Sequence, residues 1–209
     1  LIPMLEKAGT YVFTPRERDW QTNEVIVDND DSIKLPYFTE VEEGKKWKEC
    51  DSLGFANPKQ VLKDGDNPFT WGTVREIHAT RKKNNISKLS YQPSFPVTGK
   101  YAVYVSYKTL PKSVSDAKYI VYHQGQETSF TVNQRMGGGT WVYVGTFEFD
   151  KGCNADNRVV VTNQASQKGV VTSDAVRFGG GMGNIERGTC VSGLPRCLEG
   201  ARYYAQWAG

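Results

Sequence analysis

From Gly99 onward apolar and polar residues alternate one for one, and a period of two dictates a half-buried strand rather than a helix. Tyr101, Val103, Val105 and Tyr107 fall on one side, with Ala102, Tyr104, Ser106 and Lys108 on the other. Similar runs follow at 118–124, 127–133, 140–149, 158–163 and 169–177, parted by turn-forming stretches such as Gln124-Gly125-Gln126 and Asp150-Lys151-Gly152. Residues 73–80 and 88–95 read as earlier strands. About eight short strands without helical pattern between them predict an all-β chain, an antiparallel, jelly-roll-like β-sandwich, because parallel pairing would need helical crossovers. The 11 Tyr, 5 Trp and 21 Gly suit such a fold, since aromatics favour twisted sheets and glycine favours tight turns.

Both ends speak a different language. Leu1, Ile2, Leu5 and Ala8 stand at helical spacing before Gly9, and Tyr11-Val12-Phe13 reads as a buried strand. Residues 198–207 carry a second helical pattern. A chain that starts and ends in α/β style around an all-β middle is expected to be a domain inserted into a host. The expected division is a host fragment over 1–31, closing at the turn-rich Asp28-Asn29-Asp30-Asp31, a sandwich module over 32–185, and a return into the host over 186–209. The opening Leu1-Ile2-Pro3-Met4 has no charged-then-apolar export signal, so the chain reads as a piece of a longer protein whose signal would lie upstream.

Charge and cysteine usage exclude several classes. The 26 basic and 23 acidic residues leave a net charge of only +3, spread along the chain, which gives no footprint for nucleic acid. No apolar run approaches the roughly 20 residues of a membrane-spanning helix. Cys50, Cys153, Cys190 and Cys197 form no CxxC pair, and with two histidines a zinc site is not expected; neither metal nor cofactor is predicted. Four cysteines allow three disulfide connectivities, and Cys190 with Cys197 could close a short loop.

Motifs with chemical potential are few. Met136-Gly137-Gly138-Gly139-Thr140 lies between strands and lacks the Lys-Ser/Thr ending of a phosphate loop, so it reads as a hairpin turn. Gly179-Gly180-Gly181-Met182-Gly183 misses dinucleotide-binding spacing and reads as an exit loop. Asp64, Asp66 and Asn67 could offer calcium oxygens, but without a terminal bidentate glutamate they read as a turn. His78 and His123 have no serine or carboxylate at triad spacing, so no catalytic residue is assigned. Aromatic rings can stack on the C–H faces of sugars, and Trp71, Tyr104 and Tyr122 are the candidate carbohydrate-binding residues, Trp71 because it lies outside a strand. Trp141, Tyr143, Phe147 and Phe149 read as one core-facing stripe; Asp174, Trp141 and Gln134 are assigned structural roles.

Taken in order, Tyr101-Ala-Val-Tyr-Val-Ser-Tyr107, Asp116-Ala-Lys-Tyr-Ile-Val-Tyr-His123, Val132-Asn-Gln134, Gly139-Thr-Trp-Val-Tyr-Val-Gly145 and Asp174-Ala-Val-Arg177 resemble the golvesin C-terminal-like family, also described as xanthan-lyase carbohydrate-binding-like domains. The likeness covers about 50–182. It implies a β-sandwich accessory module of secreted bacterial proteins attached to polysaccharide-active or cell-wall-active enzymes. It supplies no binding residues. The stretch from Leu5 to Asp19 resembles the helix-strand-TRxxD segment of zinc-dependent N-acetylmuramoyl-L-alanine amidases, with Pro15 set between Thr14 and Arg16. That likeness places the family's zinc ligands outside this chain.

The expectation is therefore a non-catalytic carbohydrate-binding-like module that holds polysaccharide or peptidoglycan glycan near a host enzyme domain, in a secreted, periplasmic or cell-envelope setting. One alternative is a structural spacer or protein-docking insert, from which an exposed aromatic platform would distinguish it. Another is a polysaccharide lyase, which needs a general base and a group neutralising a uronate carboxylate in one cleft.

Overall fold

Strands rich in Val, Tyr and Phe can bury one face only by stacking on another sheet, and the computed structural model shows how this chain does so. It describes residues 23–31, 34–52, 54–55 and 72–179. Among these lie twelve strands: β1 (Glu24–Asp28), β2 (Phe38–Val41), β3 (Lys48–Glu49), β4 (Arg75–His78), β5 (Lys88–Tyr91), β6 (Gly99–Val105), β7 (Ala117–His123), β8 (Gln126–Val132), β9 (Val142–Phe149), β10 (Arg158–Thr162), β11 (Val170–Ser173) and β12 (Ala175–Gly179). Every ladder between them is antiparallel. One sheet has the order β1-β12-β6-β9, a second β2-β5-β10-β7-β8, and a third β11-β4-β3. The fold is the all-β antiparallel sandwich that the alternation requires. The helices expected at 1–9 and 198–207, and the strand at 11–13, lie outside the described residues.

The four- and five-stranded sheets share one core. Tyr101, Val103 and Val105 of β6 meet Tyr119 and Val121 of β7, Val159 and Val161 of β10 and Leu89 and Tyr91 of β5, all fully buried. Each such side chain contributes roughly 1.5–3 kcal/mol through removal from water. Phe95 stacks on Phe149 at 4.6 Å and meets Phe178 edge-on at 5.3 Å, closing one end. β6 is buried on its other face too, where Ala102 and Tyr104 join Phe55, Trp141 and Ala175 in a second cluster.

Four readings of the sequence are corrected by this arrangement. Residues 24–28, expected to belong to a flanking fragment, form β1 and pair with β12 from Glu24↔Gly179 to Asp28↔Ala175, so the sandwich has begun by Glu24. The glycine run at 136–140 is not a hairpin: β8 pairs with β7 and β9 with β6, so it carries the chain from one sheet to the other. Glycine is required there because a Cβ on Gly138 would lie 2.1 Å from the Thr109 amide nitrogen. The stripe from Trp141 to Phe149 is broken by a bulge opposite Val103/Tyr104, which sends Trp141 and Tyr143 to the second cluster and Phe147 and Phe149 to the main core. The single strand expected at 169–177 is two strands, because β11 pairs with β4 and β12 with β1 and β6. By contrast Gln124 (φ 46°) and Gly125 (φ 71°) make the expected two-residue turn between β7 and β8.

The break between β11 and β12 is Asp174, which is wholly buried. Its amide N–H donates to the Ser106 carbonyl at 3.1 Å, and its carbonyl accepts the Asn29 amide at 3.2 Å. Its carboxyl Oδ2 accepts the Phe55 amide at 2.9 Å and the Ser106 hydroxyl at 2.8 Å. Burial, then the Asp28 carboxylate, push this carboxyl well above its ordinary 3.8, against the pull of those two hydrogen bonds. The folded chain keeps the proton at pH values where the unfolded chain has lost it, so stability falls as pH rises from the ordinary carboxyl range toward the elevated value. Asp174→Ala should cost about 1–3 kcal/mol by orphaning the two donors. Asp174→Asn should keep an acceptor and flatten the decline. Urea melts from acidic to neutral pH check both; an unchanged midpoint for the alanine variant and an unaltered pH slope for the asparagine variant count against this role.

Candidate functional site

Residues that alternate along β7 are sorted between core and surface, and this decides which of the sequence-selected groups can meet a ligand. Val121 is buried, and the His123 ring lies 4.9 Å from Phe147, on the core side. Tyr122 between them faces outward, half-buried, with Arg158 of β10 and Glu127 of β8 as its cross-strand neighbours. The Arg158 guanidinium lies over the Tyr122 ring at 4.0 Å from its centroid, a cation–π contact that occupies one face. Arg158 also donates to the Ala155 carbonyl.

The other candidates fare differently. Tyr104 is 1% exposed, tilted against Tyr143 at 5.7 Å and overlain by the Arg177 guanidinium at 5.3 Å, so its ring cannot meet a sugar in this fold. The reason is local: β6 is central in its sheet and buried on both faces, whereas sequence alternation marks only one. Trp71 lies outside the described residues, as do Asp64, Asp66 and Asn67. Among the described residues no aromatic ring belongs to the exposed large hydrophobics, and both described tryptophans, Trp47 and Trp141, are buried. Trp141 packs edge-on against Phe55 at 5.6 Å.

Gln134 is fully buried just after β8. Its side-chain amide donates to the Thr172 carbonyl at 2.7 Å and the Tyr119 hydroxyl at 3.0 Å, and its oxygen accepts the Thr172 amide at 3.0 Å. It thus extends the pairing of β11 on the side where Ser113 forms a parallel bridge with Val170, taking up the next amide and carbonyl along.

No catalytic constellation forms among the described residues. His123 shares only the Thr128 hydroxyl, at 3.0 Å, and burial lowers its pKa, which keeps it neutral at pH 7. Tyr122 and His123 are adjacent in sequence but point to opposite faces, so they cannot act on one substrate. His78 ends β4 in a different sheet. No three His, Cys, Asp or Glu side chains among the described residues are placed to hold a metal ion. Cys50 and Cys153 are free thiols, and burial raises the Cys50 pKa; Cys190 and Cys197 lie outside the described residues. Among the described residues no helix is long and apolar enough to cross a membrane.

A feature that sequence reading missed is an open cleft of about 390 Å³ at the end of the sandwich where β2, β4 and β10 finish. Lys45, His78, Arg81, Lys82, Gln167 and Lys168 line it together with the backbone of Ala79, Thr80 and Gly169. Its cations come from three loops far apart in sequence, and nothing local says that those loops are neighbours.

The described residues thus form an antiparallel β-sandwich with an outward, half-buried tyrosine on β7 and a polar cleft at the loop end. Residues 66–180, more than half of the chain, match the Golvesin C-terminal domain, and the chain belongs to that family. It is 31% identical over 104 residues to a xanthan lyase of Bacillus sp. (strain GL1), a match covering 49% of this chain and 11% of that protein. A Paenibacillus xanthan lyase structure aligns with a TM-score of 0.58 at 22% identity, covering 77% of this chain and 13% of the other, which shows the fold. The C-terminal CBM6 of LamC from Zobellia galactanivorans aligns at a TM-score of 0.42 and 13% identity, over 75% of this chain and 99% of that one. The chain thus spans about a tenth of the length of the curated relative it matches.

Gln134→Ala should strand the Thr172 amide and carbonyl and cost about 1–3 kcal/mol. In a domain of this size that lowers Tm by roughly 2–4 °C per kcal/mol. Thermal melts followed by circular dichroism check it; an unshifted Tm would remove Gln134 from the framework.

Proposed function

We propose that this chain is a non-catalytic carbohydrate-binding accessory domain of a secreted, polysaccharide-active or cell-wall-active enzyme. The observation that carries the reading is proportion: the region it shares with a xanthan lyase is about a tenth of that protein, the share of an added module rather than of a whole enzyme. Tethering a glycan contact beside a catalytic domain raises local substrate concentration without any new catalytic group. The host is proposed to be amidase-type, on the likeness of residues 5–19, with peptidoglycan glycan as one polymer in reach.

A spacer or protein-docking role is the second reading, favoured by one observation: the rings of Tyr104 and Trp141 are buried and Tyr122 is half-covered by Arg158. The two readings separate in native gels cast with xanthan, with soluble peptidoglycan or with neutral β-glucan. The carbohydrate-binding reading expects the 209-residue chain to be retarded in at least one of them, and to form no unsaturated uronate and no released peptide. Retardation in none of them supports the spacer, and turnover abolished by His123→Ala or Tyr122→Phe moves the active site into the sandwich. If Tyr122 is a contact, Tyr122→Ala should weaken retardation by roughly threefold to tenfold.

A further inference from the structure

The cleft at the loop end of the sandwich concentrates charge that the chain as a whole does not have. With 26 basic against 23 acidic residues, random placement would mix the signs, yet Lys45, Arg81, Lys82 and Lys168 line one cleft with no carboxylate among its lining groups. All four are exposed, and no ion pair neutralises them among the described residues. Asp116 accepts the Ser166 amide at 2.7 Å on the same loop and is not among the groups that line the cleft. Like charges on neighbouring loops repel one another, so the fold gains nothing from gathering them.

The base that carries these cations is rigid. Two of its loops are cross-linked through backbone: Ala79 N–H to the Gly169 carbonyl at 2.9 Å, Thr80 N–H to the Asn163 carbonyl at 2.8 Å, and Ala165 N–H to the Thr80 carbonyl at 3.0 Å. The buried Asn163 side chain accepts the Ser87 amide at 3.1 Å, and the Ser87 hydroxyl donates to the Lys45 carbonyl at 2.5 Å. Lys45 Nζ donates to the Ala79 carbonyl at 3.1 Å, which fixes its ammonium at the rim. Arg135 holds the Gln167 amide oxygen at 2.7 Å, leaving the Gln167 NH₂ as a further donor. A cleft of about 390 Å³ falls within the size range of small-ligand sites. Donors fixed in advance bind with less ordering cost than flexible ones.

We propose that this cleft is a binding site for the carboxylate groups of an acidic polysaccharide, a uronate-bearing polymer in chemical class. This deepens the carbohydrate-binding reading and rests on it. A nucleic acid fits less well, because no Phe, Tyr or Trp lines the cleft as a stacking platform and the chain carries only +3 overall. The cleft lies beyond the far end of β10 from Arg158, the strand itself spanning about 13 Å at ~3.3 Å per residue, so it is separate from the Tyr122 surface.

The test compares polygalacturonate with its fully methyl-esterified form, which keeps the backbone and removes the charge. The 209-residue chain should bind the acidic polymer, lose affinity as salt rises from about 0.05 to about 0.5 M, and bind the ester weakly. The double variant Lys82→Gln/Lys168→Gln should lose on the order of fivefold in affinity with an unchanged melting curve. A charge-matched control, Lys34→Gln/Lys151→Gln at the opposite end of the sheet, should not. Equal binding of both polymers, untouched by the cleft variant, overturns this inference and leaves the carbohydrate-binding reading standing. Equal affinity for inorganic polyphosphate or duplex DNA also overturns it, since the cleft would then be a general anion trap. Failure to bind either pectin form, with free galacturonate shifting no cleft amide resonances, overturns it as well; the xanthan, peptidoglycan and β-glucan gels then decide separately whether carbohydrate binding falls too.

Discussion

A strand that leaves one sheet and enters another must pass through the protein interior, where every amide and carbonyl it exposes has to find a partner. In this chain the passage is made in a single residue. Ser173 is the last residue paired to β4 and Ala175 the first paired to β1, so Asp174 alone spans the change of partner. Its main chain is taken up by Ser106 and Asn29, and its carboxyl by Phe55 and Ser106, while Tyr91 adds its hydroxyl to Ser173 at 2.7 Å. Loop 54–55, β5, the end of β6 and the turn after β1 are thereby tied to one point. The cost is a carboxyl in a dry place beside Asp28, and the hydrogen bonds that hold the junction only partly offset it.

Much of the sandwich was legible because alternation survives wherever one sheet face is dry and the other wet. β7 follows it closely, β10 shows instead as a continuous apolar run, and β6 begins where Gly99 announces it. Legibility failed where packing, not pattern, decides. β1, β2 and β3 escape the reading: β3 has only two residues, too few to display a period, and β1 runs straight into the turn-rich Asp28-Asn29-Asp30-Asp31, which reads as a boundary. Residues 169–177 read as one strand because Val, Thr and Ser continue across Asp174, and nothing local says that the hydrogen-bonding partner changes. Tyr104 was chosen as an outward ring on correct facing, but its face is covered by Phe55 and Trp141, a long-range fact absent from the strand's own residues.

The candidate surfaces divide along the same line. Tyr122 could be found in sequence because it lies in a well-marked strand beyond the core-facing Val121. The cationic cleft could not, since Lys45, Arg81, Lys82 and Lys168 come together only where the loops after β2, β4 and β10 meet. Their neighbourhood is set by Asn163 and Ser87, polar residues that look like ordinary loop chemistry until both are seen to be buried.

The bulge in β9 has a reach beyond the strand it bends. By inserting one residue near Val144, it lets four aromatic side chains in nine positions serve two separate interiors: Phe147 and Phe149 the space between the sheets, Trp141 and Tyr143 the cluster outside. The backbone works as a phase shifter on a periodic signal. Residues before and after it obey the same alternation with opposite sign, so the two interiors are independent packing problems written on one ribbon. A substitution that reshapes one cluster leaves the volume and ring geometry of the other to be satisfied on their own terms. The outer surface of the four-stranded sheet can therefore be remodelled without renegotiating the stack of Phe95, Phe149 and Phe178 that closes the main core.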